Sequence, residues 1–169
     1  MKRKMYVALA VAALLLAPCA MQAKPKDDKN TESFRYEIEC AGNGTQGTYL
    51  VKVWTYAKKV NKMADVVERC KKNAVHGIIF KGYTSMNGCV AQRALAQKPG
   101  VEMEYKEYFE NFFKDYGEYL KYVSLTSVAQ ETIKVGKEYK VGVVVSVQKD
   151  ELRRALEAAG VISGLGRGF

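Results

Sequence analysis

The sequence is poor in the side chains on which hydrolytic and metal chemistry depends. It has one histidine, His76, and it contains no Cys-x-x-Cys or Gly-x-Ser-x-Gly motif. A serine triad would have to use that single histidine, and zinc ligands normally come in close pairs along the chain. The sequence therefore predicts no catalytic, cofactor-binding or metal-binding residues, and it favours a non-enzymatic function.

Long apolar runs are also scarce, and the single one lies at the N-terminus. The basic residues 2–4 precede an unbroken apolar run from Met5 to Ala17, and a stretch of small residues ends at Ala23. The run is shorter than the ~20 residues that a membrane-spanning helix needs. The pattern is typical of a secretory signal peptide over residues 1–23. We therefore expect an exported protein, periplasmic or secreted, with no transmembrane segment.

A lipid anchor is the alternative to simple cleavage. The tetrapeptide Leu16–Cys19 partly matches a bacterial lipobox, in which Cys19 would carry the lipid. Pro18, directly before the cysteine, fits that signal badly. The sequence thus favours cleavage after Ala23 without attachment through Cys19.

The rest of the chain is predicted to form one domain. Residues 24–32 are polar or charged throughout and predict a flexible tether, residues 33–162 carry the periodic patterns of a folded domain, and residues 163–169 form a glycine-rich C-terminal tail. Loss of residues 1–23 would remove three of the 27 basic residues and none of the 18 acidic ones, which lowers the net charge from +9 to +6.

Apolar periodicity predicts an α+β fold in the order ββαβαββα. Two to three helices would pack on a mainly antiparallel sheet of four to five strands. The predicted strands or β-like segments are 33–40, 49–56, 78–83, 121–125, 131–135 and 139–147, and the predicted helices are 58–75, 101–120 and 148–160. The strand 139–147 is apolar on both sides near its middle, so we expect it to be central and covered on both faces. Aromatic residues at helical spacing within 101–120 are expected to pack in the core.

Cys70 and His76 lie six residues apart but are not predicted to act as a thiol–imidazole pair. A six-residue step turns a helix by about 240° net, so the two side chains would face apart. Cys70 falls on the apolar stripe of the predicted helix, which favours a small buried side chain. Gly77 is expected to end that helix, with His76 meeting carbonyl groups in its last turn. Cys40, Cys70 and Cys89 permit one disulfide, and the sequence leaves its pairing open.

Charge is distributed unevenly along the chain and points to an interaction surface. A basic cluster near the first predicted helix comprises Lys58, Lys59, Lys62, Arg69, Lys71 and Lys72, whereas residues 102–118 hold six acidic and two basic residues. No aromatic side chain is interleaved with the basic cluster after Tyr56, which argues against base stacking on single-stranded nucleic acid. We expect a protein partner or an anionic envelope polymer, a homo-oligomer being one form of protein partner, and no specific nucleic acid.

Two segments carry a resemblance to known exported proteins. DVVERCKKNAVHGIIFKGY (residues 65–83) and YKVGVVVSVQKDELRRALEAAGVI (residues 139–162) resemble small exported proteins of Gram-negative, gut-commensal-type bacteria. Their helix and strand arrangement is also similar to the α+β modules of envelope assembly lipoproteins, such as curli-secretion subunits and penicillin-binding-protein activators. The resemblance implies a non-enzymatic assembly role in the cell envelope, with no active-site residues to carry over. A secreted hydrolase or other enzyme that acts on an envelope substrate, through Cys89 or an acidic pair, is the alternative.

Overall fold

The structure, a computed structural model, describes residues 34–85 and 88–164. The predicted signal peptide, the tether and the last five residues of the predicted tail lie outside the described residues. The strands are β1 (Tyr36–Gly42), β2 (Tyr49–Ala57), β3 (Val123–Val135) and β4 (Glu138–Val147). The helices are α1 (Met63–Phe80), α2 (Val101–Glu104), α3 (Lys106–Phe112) and α4 (Lys149–Ala158), with a 3₁₀ helix at Glu118–Tyr122.

The four strands form one antiparallel sheet in the order β1-β2-β4-β3, which confirms the predicted α+β class. The predicted hairpin of β1 and β2 is present, with Tyr36 opposite Thr55 and Cys40 opposite Val51. β3 and β4 form a second hairpin, whose turn uses the positive φ of Gly136, 62°. Strand alternation is a good guide to the first hairpin, whose buried face fixes its register, whereas β3 is exposed at every residue after Val123.

The main core lies between this sheet and α1. Alternate residues of the two central strands are fully buried, among them Val51, Val53, Val141 and Val143. β4 is central, as predicted, but the prediction that both its faces are covered holds only in part, because Val144 and Ser146 on the other face are half-buried. On that face the Trp54 ring packs on Gly142, and Lys52 and Lys140 lie over the ring.

The predicted strand at 78–83 is wrong, because α1 continues through Gly77 to Phe80. A Cβ atom on Gly77 would lie 2.8 Å from Cδ1 of Ile38, so this glycine allows the helix to approach β1 closely. Gly82, with a φ of 67°, ends the helix instead, and its N–H donates to the carbonyl of Gly77 at 2.8 Å. Gly77 is thus a packing residue. Ile78 and Ile79, which follow it, belong to the helix and are buried in the core.

The predicted helix at 101–120 is divided. α2 and α3 are separated at Tyr105, and a turn after α3 leads into the 3₁₀ helix. The aromatic residues Phe109, Phe112 and Phe113 are buried, as expected for a core stripe, but Tyr116 is exposed. The two β-like segments predicted at 121–125 and 131–135 are one strand, β3, with a bulge between Leu125 and Gln130.

The cysteines separate into one disulfide and one buried thiol. Cys40 and Cys89 are bonded, which ties the irregular segment after α1 to β1. Cys70 is fully buried, as predicted, and its thiol lies 3.9 Å from the carbonyl oxygen of Val141. Burial raises the pKa of Cys70 to about 11, so this thiol is not poised to act as a nucleophile.

Candidate functional site

His76 is a buried residue of α1 with polar partners on two other elements. Its Nδ1 atom is 2.6 Å from the hydroxyl of Tyr36 on β1, and its Nε2 atom is 3.2 Å from Oε1 of Glu102 on α2. An ionised carboxylate can only accept hydrogen bonds, so Nε2–H donates to Glu102 and Nδ1 accepts from the Tyr36 hydroxyl. The prediction that His76 caps the end of its helix is therefore wrong. It joins three elements from inside α1.

We define this cluster as Tyr36, His76 and Glu102. Aromatic rings enclose its imidazole, whereas the Glu102 side chain is 46% exposed. The ring of Phe34 stacks on His76 with a centroid separation of 3.8 Å, and Phe80 and Phe113 also contact it. His76 is 6% exposed. Burial, opposed by Glu102, lowers the pKa of His76, whereas the hydrogen bond from His76 lowers the pKa of Glu102.

The cluster looks like a hydroxyl–imidazole–carboxylate relay, but its chemistry does not suit nucleophilic catalysis. Burial and then the charge of Glu102 raise the pKa of Tyr36 above its ordinary value, which disfavours the phenolate. A nucleophile must also reach a substrate, and Tyr36 is buried. Every polar atom of the three side chains that is buried has a partner, which is the arrangement of a cluster that stabilises a fold. Lys81 completes it with Nζ 3.7 Å above the Tyr36 ring.

A second polar region, the basic cleft, lies at the opposite end of α1. The cleft has a volume of about 770 Å³ and is formed by the end of β2, the connection to α1 and the first turns of α1. Five cationic side chains line it: Arg35, Lys58, Lys59, Lys62 and Arg69. The carboxylates that line it are Asp65 and Glu138, and its other lining residues are Tyr56, Asn61 and Val66.

The structure divides the basic cluster that the sequence predicts. Lys58, Lys59, Lys62 and Arg69 share the cleft, because the connection from β2 folds back over the first turns of α1. Lys71 instead pairs with Glu68 at 2.6 Å. Lys72 points toward the acidic segment, with Nζ 3.7 Å from Asp115 and 5.8 Å from the centre of the Tyr119 ring. Four of the six predicted residues thus form one surface, and the other two make contacts outside it.

Two residues of the cleft come from distant parts of the sequence. Arg35 donates to Glu138 at 2.8 Å, and its guanidinium lies 4.2 Å from the centre of the Tyr56 ring. Arg35 and Glu138 are 103 positions apart, so no local pattern could join them to the basic cluster. The antiparallel pairing of β1, β2 and β4 brings them together at one end of the sheet.

Three cations of the cleft, Lys59, Lys62 and Arg69, are poorly neutralised. Lys59, Lys62 and Arg69 make no ion pair with any residue in 34–85 or 88–164. Lys59 and Lys62 are exposed, so water solvates their charges at little cost. A set of solvated cations around one concave surface produces a positive local field, which attracts anionic groups.

Other kinds of site are not found in the described part of the chain. No three potential metal ligands lie together within the described ranges. In the same ranges, no helix is both long and apolar enough to cross a membrane. Cys89, the cysteine considered for an enzymatic role, is held in the disulfide.

The comparisons with known proteins leave the basic cleft as the main indication of function. No protein-family model matches the chain, and neither a curated protein nor a solved structure gives a significant match.

Proposed function

We propose that this chain is an exported, non-enzymatic protein that binds an acidic partner through the basic cleft. The observation that carries the proposal is the convergence of Lys58, Lys59, Lys62 and Arg69 on one concave surface with two carboxylates. Lysine and arginine there attract carboxylate, phosphate or sulfate groups, and the cleft restricts how those groups approach.

A protein partner fits the cleft better than a uniform anionic polymer. Asp65 and Glu138 also line the cleft, so a chain with an anionic group at every step is attracted by the lysines but loses part of that gain against the two acids. A protein segment can place its carboxylates against the lysines and neutral groups against those two acids. An envelope polymer with anionic groups is the alternative partner. Nucleic acid would bind through its phosphates without base reading.

An enzymatic function has less support from the described residues. The cluster of Tyr36, His76 and Glu102 is the nearest approach to a catalytic arrangement, but its hydroxyl and imidazole are buried. The disulfide of Cys89 removes the thiol that such a mechanism would need. A hydrolase would be favoured if His76→Gln abolished an activity without changing the melting curve.

Export is part of the proposal and rests on the sequence of residues 1–23. The disulfide between Cys40 and Cys89 supports it, because disulfides persist mainly in oxidising compartments. The intact mass of the protein from its native host should correspond to a chain that begins at Lys24. A chain that begins at Met1, or a lipid on Cys19, would contradict this part.

Two charge-reversal variants with the same net charge test the cleft. Lys59→Glu/Lys62→Glu changes the cleft, whereas Lys106→Glu/Lys121→Glu changes two exposed lysines outside it. Poly-L-glutamate serves as the probe, measured by fluorescence anisotropy at roughly 50 mM and roughly 200 mM salt.

We expect the cleft variant to bind the probe at least about tenfold more weakly at the lower salt, because close charge pairs are screened little there. The control variant should stay within about twofold of the unmodified protein, since its lysines lie outside the cleft. Equal losses in the two variants would mean that net charge, and not the cleft, determines binding.

A further inference from the structure

The turn after α3 holds an exposed aromatic side chain in an unfavourable backbone conformation. Tyr116 has a φ of 56° and is 87% exposed. The N–H of Gly117 donates to the carbonyl of Lys114 at 2.8 Å, which closes the turn. Positive φ favours glycine or asparagine, so a tyrosine there costs stability and gains nothing from burial. We call residues 114–118 the Tyr116 turn.

Carboxylates flank this tyrosine. Asp115 is 95% exposed even though it lies 3.7 Å from Lys72, and Glu118 pairs with Lys121 at the surface. Their region, residues 102–118, carries six acidic and two basic residues. A rigid aromatic side chain among charged neighbours is typical of the residues that dominate binding at protein interfaces.

The Tyr116 turn and the basic cleft lie close to each other on the same side of α1. Arg69 lines the cleft, and Lys72, which contacts Asp115, follows it by three residues. Residues three apart are neighbours on a helix surface, with an axial rise of about 4.5 Å. None of residues 114–118 lines the cleft of its own copy, so the turn lies beside the cleft without filling it.

From this juxtaposition we infer that the partner of the basic cleft is a second copy of this chain, with the Tyr116 turn of each copy seated in the cleft of the other. The inference rests on the proposed function of the cleft. A two-fold axis between adjacent, complementary surfaces makes both contacts at once and closes the assembly as a dimer.

The contacts available on the two surfaces are complementary. The carboxylates of Asp115 and Glu118 would meet Lys59 and Lys62, which have no partner among the described residues. The ring of Tyr116 would extend the stack that Arg35 and Tyr56 form at the cleft wall, where the cation–ring distance is 4.2 Å. Charge complementarity fixes the orientation, and the tyrosine supplies apolar burial.

The test uses two variants. Neither should dimerise alone, but each should dimerise with the other. In Lys59→Glu/Lys62→Glu, both the cleft and the turn are acidic, and in Asp115→Lys/Glu118→Lys both are basic. Each variant should be monomeric by sedimentation velocity at roughly 50 mM salt, because like charges face each other in its dimer. An equimolar mixture should form a dimer, because each acidic turn then meets a basic cleft.

The unmodified protein and a turn variant complete the experiment. The unmodified protein should dimerise at low salt, with a dissociation constant at least about tenfold higher at roughly 200 mM salt. Tyr116→Gly should weaken the dimer at least about tenfold while its melting temperature stays unchanged or rises, because glycine suits the positive φ. Circular dichroism of every variant checks that the fold is retained.

Two results would overturn the inference. One is an unmodified protein that stays monomeric at concentrations on the order of 100 μM, well above the dissociation constant of a specific dimer. The other is a dimer that survives in both Tyr116→Gly and Lys59→Glu/Lys62→Glu, which would place the interface elsewhere, for example at the exposed edge of β3. Poly-L-glutamate binding separates the two proposals: if the monomeric protein still binds the probe through the cleft, the proposed function stands without the dimer, and if it does not, both fail.

Discussion

The His76 cluster and the basic cleft lie at opposite ends of one helix and use their polar groups in opposite ways. In the cluster, both ring nitrogens of His76 have partners, and aromatic rings enclose the imidazole. In the cleft, Lys59 and Lys62 are exposed and make no ion pair among the described residues. A polar group that is buried and satisfied stabilises the fold, whereas a solvated and unpaired one is available to a ligand.

This difference implies that substitutions in the two regions affect different properties. Changes in the cluster should lower the free energy of unfolding and leave ligand affinity intact. Changes in the cleft should lower ligand affinity and leave the free energy of unfolding nearly unchanged.

Removal of the His76 side chain should have the largest effect. His76→Ala would leave a cavity among Phe34, Phe80 and Phe113 and remove the hydrogen-bond partner of Tyr36. We expect a loss of about 2 to 4 kcal/mol in the free energy of unfolding, measured by urea denaturation. Poly-L-glutamate affinity, measured where the variant is folded, should be unchanged. A loss of affinity in the folded variant would show that the cluster contributes to binding, contrary to the separation of the two regions.

A smaller loss is expected when one hydrogen bond of the cluster is removed. Tyr36→Phe keeps the ring but leaves Nδ1 of His76 buried without a donor. The free energy of unfolding should fall by about 1 to 2 kcal/mol, the cost of an unsatisfied buried acceptor. Tyr56→Phe is a matched control, because the Tyr56 hydroxyl bonds Glu37 at the surface and its loss should cost less. Equal losses in the two variants would show that burial adds nothing to the Tyr36 bond.

Acid should weaken the cluster through His76 itself. Burial lowers the pKa of folded His76 below its unfolded value of about 6.5, so the unfolded chain takes up the proton first. Stability should therefore fall as the pH drops from about 7.5 to about 5.5. Glu102, whose pKa is also lowered, adds its own loss only nearer its unfolded pKa of 4.5. His76→Gln should remove the pH dependence in the upper window, and urea denaturation across that window measures it. An unchanged slope in His76→Gln would assign the pH dependence to other groups.

The smallest effect on stability is expected in the cleft. Lys59→Glu/Lys62→Glu should change the free energy of unfolding by less than about 0.5 kcal/mol, because both side chains are exposed. The same variant should have the largest effect on poly-L-glutamate binding. Thermal and urea unfolding of the folded variant measure the first quantity. A loss comparable to that of His76→Ala would mean that the lysines hold the fold, contrary to the contrast between the regions.

The sequence predicts the parts of this fold that depend on local patterns. Strand alternation around Val51 and Val53 locates the first hairpin, and Gly136 marks the turn of the second. The prediction that Gly77 ends the first helix was wrong, because this glycine is needed for close packing inside the helix. The close approach of Ile38 to α1 is a tertiary contact with no local signal.

The site was predictable to a lesser extent than the fold. The basic cluster is visible in the sequence because four of its members are close together along the chain. Arg35 and Glu138 join the cleft only through strand pairing, and the partners of His76 come from β1 and α2. The choice of Cys40 and Cys89 for the disulfide likewise depends on the tertiary fold. A single sequence gives no signal for contacts between residues that are far apart along the chain.

Lysine footprinting in the presence of a bound acidic partner tests most directly whether the cleft is the binding surface. The unmodified protein is acetylated with and without saturating poly-L-glutamate, and labelling is quantified by mass spectrometry at each lysine. We predict protection of Lys59 and Lys62 in the cleft and unchanged labelling of Lys106 and Lys121, which lie outside it. Protection of Lys106 and Lys121, or equal protection of all four residues, would contradict the assignment of binding to the basic cleft.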